Sequence, residues 1–171
     1  MIVLLGGPAG AGKSTVGIHW CSQRPRAAMV VLDAVRDLIV GGRADPQIST
    51  ADQADQYMTS VRASAALARV FDDDGYDVVV EDVFEPDVFE RQWRPLLAGL
   101  QTAVVIIRPS LQATLRRGSE RAKSVMEHHV RRQHAATGRW PDDIVVDSSG
   151  LTVEQTCARV DAMLSRYSVR S

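Results

Sequence analysis

Residues 2–15 read IVLLGGPAGAGKST, and the fold is decided here. A short apolar run breaks into glycine, proline and alanine, then closes on a lysine and two hydroxyls. Gly7–Ser14 satisfies G-x-x-x-x-G-K-[ST] at every specified position. Residues with almost no side chain let successive backbone N–H groups turn inward around an anion. The loop also opens a helix, whose N-terminal amides and dipole favour negative charge at the same place. The pattern therefore predicts a nucleoside triphosphate, ATP or GTP, cradled by Gly7, Pro8, Ala9, Gly10, Ala11, Gly12, Lys13, Ser14 and Thr15. Lys13 supplies mobile positive charge at the β- and γ-phosphates, and the Ser14 hydroxyl is a ligand for Mg²⁺.

A strand before the loop and a helix after it are part of that reading, and the rest of the chain repeats the arrangement. Apolar runs stand at 78–80 and 103–107, with weaker ones at 28–32 and 143–147. They lack polar alternation, as strands do when helices cover both faces of a parallel sheet. Between them lie stretches of helical spacing. The longest, 49–74, carries Ala54, Tyr57, Met58, Val61, Ala65, Leu67, Ala68 and Phe71 on one stripe and ends at Gly75. Thr152 and Gln155 stand in capping-box spacing ahead of a final helix. The expectation is an α/β P-loop kinase fold, a five-stranded parallel sheet flanked by helices. It forms one domain over 1–171 with a small helical lid near 112–140.

Apolar residues make up 45% of the 171 and charged ones 24%, with a net charge of −1. That balance argues against nucleic acid or an acidic membrane as partner. No apolar run reaches the ~20 residues of a membrane span, and the first strand leaves no room for a charged leader. Cys21 and Cys157 stand far apart without metal-type spacing, which suits reduced thiols and a cytoplasmic location. The charge is unevenly placed: 33–90 holds 14 acidic residues against 4 arginines, and 108–140 holds 8 basic against 2 acidic. A basic segment in an otherwise acidic chain points to a face that meets an anion. Arginines outnumber lysines 18 to 2, so the alternative is a solvated arginine-rich helix pair.

The chemistry-bearing positions follow from strand ends, where ligands sit in open α/β sheets. Asp33 follows the strand at 28–32 and is suited to orienting an acceptor hydroxyl and taking its proton; otherwise it caps a helix at 34–40. Arg36 lies one turn on and would hold the substrate or the transferring phosphoryl. Glu81 and Asp82 end the strand at 78–80, and neighbouring side chains on a strand point to opposite faces. One of them is expected to attend Mg²⁺ with Ser14; sequence does not say which. Arg117 and Arg121 share a helix face in the basic stretch and would neutralise the γ-phosphoryl from a lid. Arg116, Lys123, Arg131 and Arg132 are lesser candidates for the same task. His128, His129 and His134 lack metal spacing and read as lid surface or substrate contacts. Trp20, Trp93 and Trp140 read first as packing, with a place near an acceptor pocket as the alternative for Trp140, beside Pro141.

Several segments together resemble the chloramphenicol phosphotransferases and the small P-loop kinases grouped around them: GGPAGAGKS, LDAVRD, VVVEDVFEPDVFERQWRPLLAGLQTAVVIIRP, RRGSERA and VDSSGLTVEQTCARV. The resemblance implies that Asp33 is the base toward the acceptor hydroxyl. Asp33–Arg36 also resembles the Asp-x-x-Arg of phage polynucleotide 5′-kinases, whose arginine meets a substrate phosphate. PDVFERQWRPLL is similar to a segment of the tunicamycin-resistance ATP-binding proteins. Glu81 departs from the aspartate that the phosphotransferases prefer. The implied activity is Mg²⁺-dependent O-phosphorylation of a small hydroxyl compound, an antibiotic or a similar molecule. The alternatives are a metabolite or nucleoside kinase, a polynucleotide 5′-kinase, and a nucleotide-dependent protein that sequesters a drug without modifying it.

Overall fold

The computed structural model describes residues 1–46, 48–119 and 125–168. Strands β1 (Ile2–Gly6), β2 (Ala27–Val31), β3 (Asp77–Glu81), β4 (Thr102–Ile107) and β5 (Val145–Val146) form one parallel sheet in the order β2-β3-β1-β4-β5. Each expected strand is present, with two adjustments. β5 is only two residues long, and Leu32, expected to end β2, instead opens the short helix α2 (Leu32–Arg36).

The missing polar alternation has its cause in the packing. On β1, Ile2 and Leu4 face a core that includes Val61, Ala68, Phe89 and Trp93. Val3 and Leu5 face a second core with Val16, Trp20, Val160 and Leu164. Successive side chains enter opposite faces, and both faces are closed. Helices α1 (Lys13–Ser22) and α3 (Ala51–Asp73) lie on opposite sides of the sheet.

Thr50 caps α3 by accepting from the Gln53 N–H at 3.1 Å, and Gly75 (φ +78°) follows its end. Its buried stripe differs from the expected one. Ser60 and Ser64 lie inside, whereas Ala54 and Leu67 face outward. Small hydroxyl residues let the helix approach the sheet closely, and Ser60 Oγ donates to the Gln56 carbonyl at 2.8 Å.

After β3 the chain turns through Val83 and Phe84 into α4 (Pro86–Val88), which continues as a π turn (Phe89–Trp93) and a 3-10 turn (Arg94–Leu97). Phe84 holds φ +53°, a left-handed conformation that bulky residues rarely adopt. Its ring is fixed between Phe89 and Trp93, with centroids 5.9 and 5.1 Å away. The Gly7 N–H donates to the Val83 carbonyl at 3.0 Å, which ties this turn to the glycine loop.

Three helices follow: α5 (Leu111–Ser119), α6 (Glu127–Thr137) and α7 (Val153–Ser168). The expected capping box starts α7: the Thr152 N–H donates to Gln155 Oε1 at 3.0 Å, and the Gln155 N–H to Thr152 Oγ1 at 3.2 Å. No helix among the described residues is long and apolar enough to cross a membrane.

Candidate active site

β1 is the middle strand, with β3 on one side and β4 on the other, so the loop after it emerges at the centre of the sheet's carboxyl edge. Two close approaches explain its glycines. A Cβ at Gly7 (φ +139°) would stand 2.1 Å from the Ile107 carbonyl oxygen, and one at Gly10 (φ +86°) 2.6 Å from that of Thr114. Packing against β4 and α5 therefore sets the loop's backbone. Helix α1 starts with no side-chain cap at Gly12, which leaves its first amides to an anion.

Lys13 is buried within this loop. Its Nζ donates to the Pro8 carbonyl at 3.2 Å and stands 3.8 Å from Glu81 Oε1. Ser14 Oγ donates to the same Glu81 oxygen at 3.0 Å. Glu81 Oε2 is buried and has no hydrogen-bond partner. The Ser14 hydroxyl and the Glu81 carboxylate, with one of its oxygens orphaned, lie beside a phosphate cradle and fit a hard divalent cation.

Asp82, the neighbouring acid, turns the other way. Its Oδ2 accepts the Tyr57 hydroxyl at 2.7 Å and the Trp93 indole N–H at 3.3 Å. Burial pushes its carboxyl above the usual value, the hydrogen bonds from Tyr57 and the Val83 backbone oppose the rise, and the Asp33 charge adds to it. Burial and then the Asp82 charge push the Tyr57 phenol up as well. Of the two acids considered from sequence, Glu81 is therefore the one beside Ser14.

Asp33 lies in the first turn of α2, with its side chain 76% exposed. It does not cap that helix, because Val31 occupies the N-cap and no side-chain cap bond is made. Arg36 Nη2 donates to Asp33 Oδ1 at 2.6 Å, while Arg36 Nε is buried without a partner. A cleft of about 1470 Å³ joins these groups: Lys13, Ser14 and Glu81 line one wall, Asp33, Arg36 and Asp82 the other.

The basic stretch distributes differently from the expectation. Arg117 is not on the cleft; its Nη2 donates to the Ser148 carbonyl at 3.1 Å. Arg121 and Lys123 lie outside the described residues. Arg132, a lesser candidate, lines the cleft from α6 and pairs with Glu85 at 2.9 Å. Arg131 instead donates to Glu127 at 2.8 Å on an exposed face.

His128 and His129 also line the cleft, whereas His134 is an anchor for α6, with Nε2 2.9 Å from the Pro109 carbonyl. Trp140 serves as a clamp and does not line the cleft; its indole N–H donates to the Phe84 carbonyl at 2.6 Å. Sequence reasoning missed Arg43, Gln133 and the Tyr57 hydroxyl, all on the cleft. Tyr57 carried a signal, since a phenol on a buried helix stripe needs a polar partner.

The family model described as AAA domain matches residues 2–140. Among curated proteins, none matches the sequence. Solved structures do. The tunicamycin resistance protein of Deinococcus radiodurans superposes with a TM-score of 0.68 at 19% identity, over 95% of this chain and 94% of that one. A sugar kinase from Janibacter sp. HTCC2649 gives 0.70 at 18%, over 96% and 94%. The APS kinase of Mycobacterium tuberculosis, solved with AMPPNP and APS, gives 0.68 at 19%, over 96% of both chains. At these identities the likeness shows a shared fold.

Proposed function

The chain belongs to the AAA domain family, and from that premise and the geometry of its cleft we propose that it is a kinase moving the γ-phosphoryl of ATP or GTP to a hydroxyl of a small molecule. Residues 1–171 would act as one P-loop kinase domain, with α5 and α6 as its lid. One observation carries the reading: a single cleft holds the phosphate loop on one wall and the Asp33–Arg36 pair on the other.

Each group has a task that its position suits. Amides of residues 10–15 and Lys13 take the phosphates. Ser14 and Glu81 would hold Mg²⁺, which would supply positive charge against the phosphate oxygens. Asp33 is exposed to the cleft, and Arg36 occupies one of its oxygens, leaving the other for the acceptor proton. As the acceptor oxygen bonds to the γ-phosphorus, that proton passes to Asp33. The bond to the β,γ-bridging oxygen breaks and the nucleoside diphosphate departs. Arg36 keeps the carboxylate oriented, so positioning and charge supply most of the rate. An antibiotic acceptor is supported by the resemblance to the phosphotransferases and by the fold shared with a tunicamycin resistance protein. The sugar kinase neighbour supports sugars and nucleosides as members of the same acceptor panel.

The test offers γ-labelled ATP and GTP, with Mg²⁺, to chloramphenicol, nucleoside antibiotics, aminoglycosides, plain sugars and nucleosides, and a 5′-hydroxyl oligonucleotide. Label should move to one hydroxyl compound, and Asp33→Ala and Lys13→Ala should each cut that transfer by at least about a hundredfold. Binding of nucleotide and drug with no transfer, unchanged by Asp33→Ala, would favour sequestration instead.

A further inference from the structure

Helix α6 lines the cleft with His128, His129, Arg132 and Gln133 and is held there at several points. Arg108 Nε donates to the His134 carbonyl at 3.1 Å, Trp140 donates to the Phe84 carbonyl at 2.6 Å, and Arg139 pairs with Asp87 at 2.7 Å. Gly138 permits this approach, because a Cβ there would lie 2.6 Å from the Arg108 guanidinium. From this anchored helix Gln133 reaches the phosphate loop: the Ala9 N–H donates to Gln133 Oε1 at 2.9 Å. Thr137 Oγ1 donates to the Gln133 carbonyl at 2.8 Å, which fixes the backbone beneath that side chain.

The bond settles which way the amide faces. A backbone N–H can only donate, so the oxygen must point at Ala9 and the NH₂ group away from it. Gln133 lines the cleft, and its Nε2 has no protein partner among the described residues. Two unused donors thus stand on the cleft beside the phosphate loop. Charge spreads over the equatorial oxygens of a phosphoryl group in transfer, and pre-aimed neutral donors stabilise it without reorganisation. Of the two arginines expected here, Arg117 bonds to Ser148 elsewhere and Arg121 lies outside the described residues.

We propose that Gln133 is a catalytic residue: its oxygen is fixed by Ala9, and its Nε2 donates to the γ-phosphoryl in the bound nucleotide and during transfer. The assignment rests on the kinase reading. It differs from a purely structural role, in which Gln133 only fastens α6 to the loop.

Two substitutions separate these roles. Gln133→Glu keeps an acceptor for the Ala9 N–H but turns a carboxylate toward the phosphoryl; Gln133→Ala removes both contacts. The full chain is titrated with ATP and with ADP in Mg²⁺, and the melting temperature of each variant is recorded. Gln133→Glu is expected to lose at least about tenfold in ATP affinity, with ADP affinity within about twofold of wild type. Gln133→Ala should lose less, about threefold, again for ATP only. A structural role gives the opposite order, with Gln133→Glu near wild type and Gln133→Ala the weaker binder; that result overturns the proposal. If Gln133→Glu fails to fold, equal loss of ATP and ADP affinity in Gln133→Ala overturns it. Lys13→Ala, expected to weaken both nucleotides, tests the underlying reading separately. If wild type binds neither nucleotide, that reading falls and the role of Gln133 with it. If Lys13→Ala loses both while Gln133→Glu binds as wild type does, only the role of Gln133 falls.

Discussion

The two walls of the cleft are built from different materials. On the nucleotide wall the working groups are backbone amides, placed by glycines pressed against the Ile107 and Thr114 carbonyls, together with buried Lys13 and Glu81. The acceptor wall consists of side chains from α2, α6 and the loops after α2 and β3, joined as pairs: Arg36 with Asp33, Arg43 with Asp37, Arg132 with Glu85. Among the described residues, every lysine or arginine on the cleft faces a carboxylate, but only the Lys13–Glu81 pair is buried on both sides. A wall of backbone changes only if the packing behind it changes. A wall of paired side chains can be altered one residue at a time, so its lining is free to vary without disturbing the loop.

That contrast predicts effects of graded size. Asp33→Asn should reduce phosphoryl transfer by about 10²–10⁴-fold while leaving nucleotide affinity unchanged; a matching loss of affinity would mean that the walls are not independent. Lys13→Ala should lower transfer by about 10²–10³-fold and weaken nucleotide binding in isothermal titration. Gly10→Ala tests the packing behind the loop. Its φ of +86° and the 2.6 Å approach to Thr114 predict a loss of about 1–3 kcal/mol in denaturant unfolding together with weaker nucleotide binding.

A smaller effect concerns pH. Burial raises the Asp82 carboxyl above its ordinary 3.8, so the folded state keeps a proton there that the unfolded chain releases. Without nucleotide, stability should fall as pH rises from that value through the folded pKa, and Asp82→Asn should flatten this limb of the melting-temperature profile. Smallest of all, Glu85→Gln breaks an exposed pair and should shift stability by no more than about 1 kcal/mol, with nucleotide affinity intact.

The nucleotide wall was legible before folding because its determinants are local: eight consecutive residues specify the loop. The buried strands were equally legible, since helices on both faces remove the polar alternation. Much of the acceptor wall was not. Helical spacing puts Arg117 and Arg121 on one face but cannot say which neighbour that face meets; for Arg117 it is the Ser148 carbonyl. Arg132 and Gln133 reach the cleft only because Arg108, His134 and Trp140 hold α6 in place, contacts spanning 25 to 56 residues of sequence. Strand alternation sets Glu81 and Asp82 apart in expectation only, and the choice between them needed the Ser14 hydroxyl in place.

The strand order also governs how the molecule is made. β1 leaves the ribosome first, yet its sheet neighbours are β3 and β4, and β2 pairs with β3 instead. The apolar run at 2–5 therefore waits unpaired until residues 77–81 and 102–107 have been synthesised. During that interval it is the segment on which a chaperone would act and at which nascent chains would associate. The phosphate loop hangs from the same strand, and Gly7 is steadied by Val83. Nucleotide affinity thus arises late in synthesis, and its appearance on stalled chains of increasing length would time the closing of the sheet.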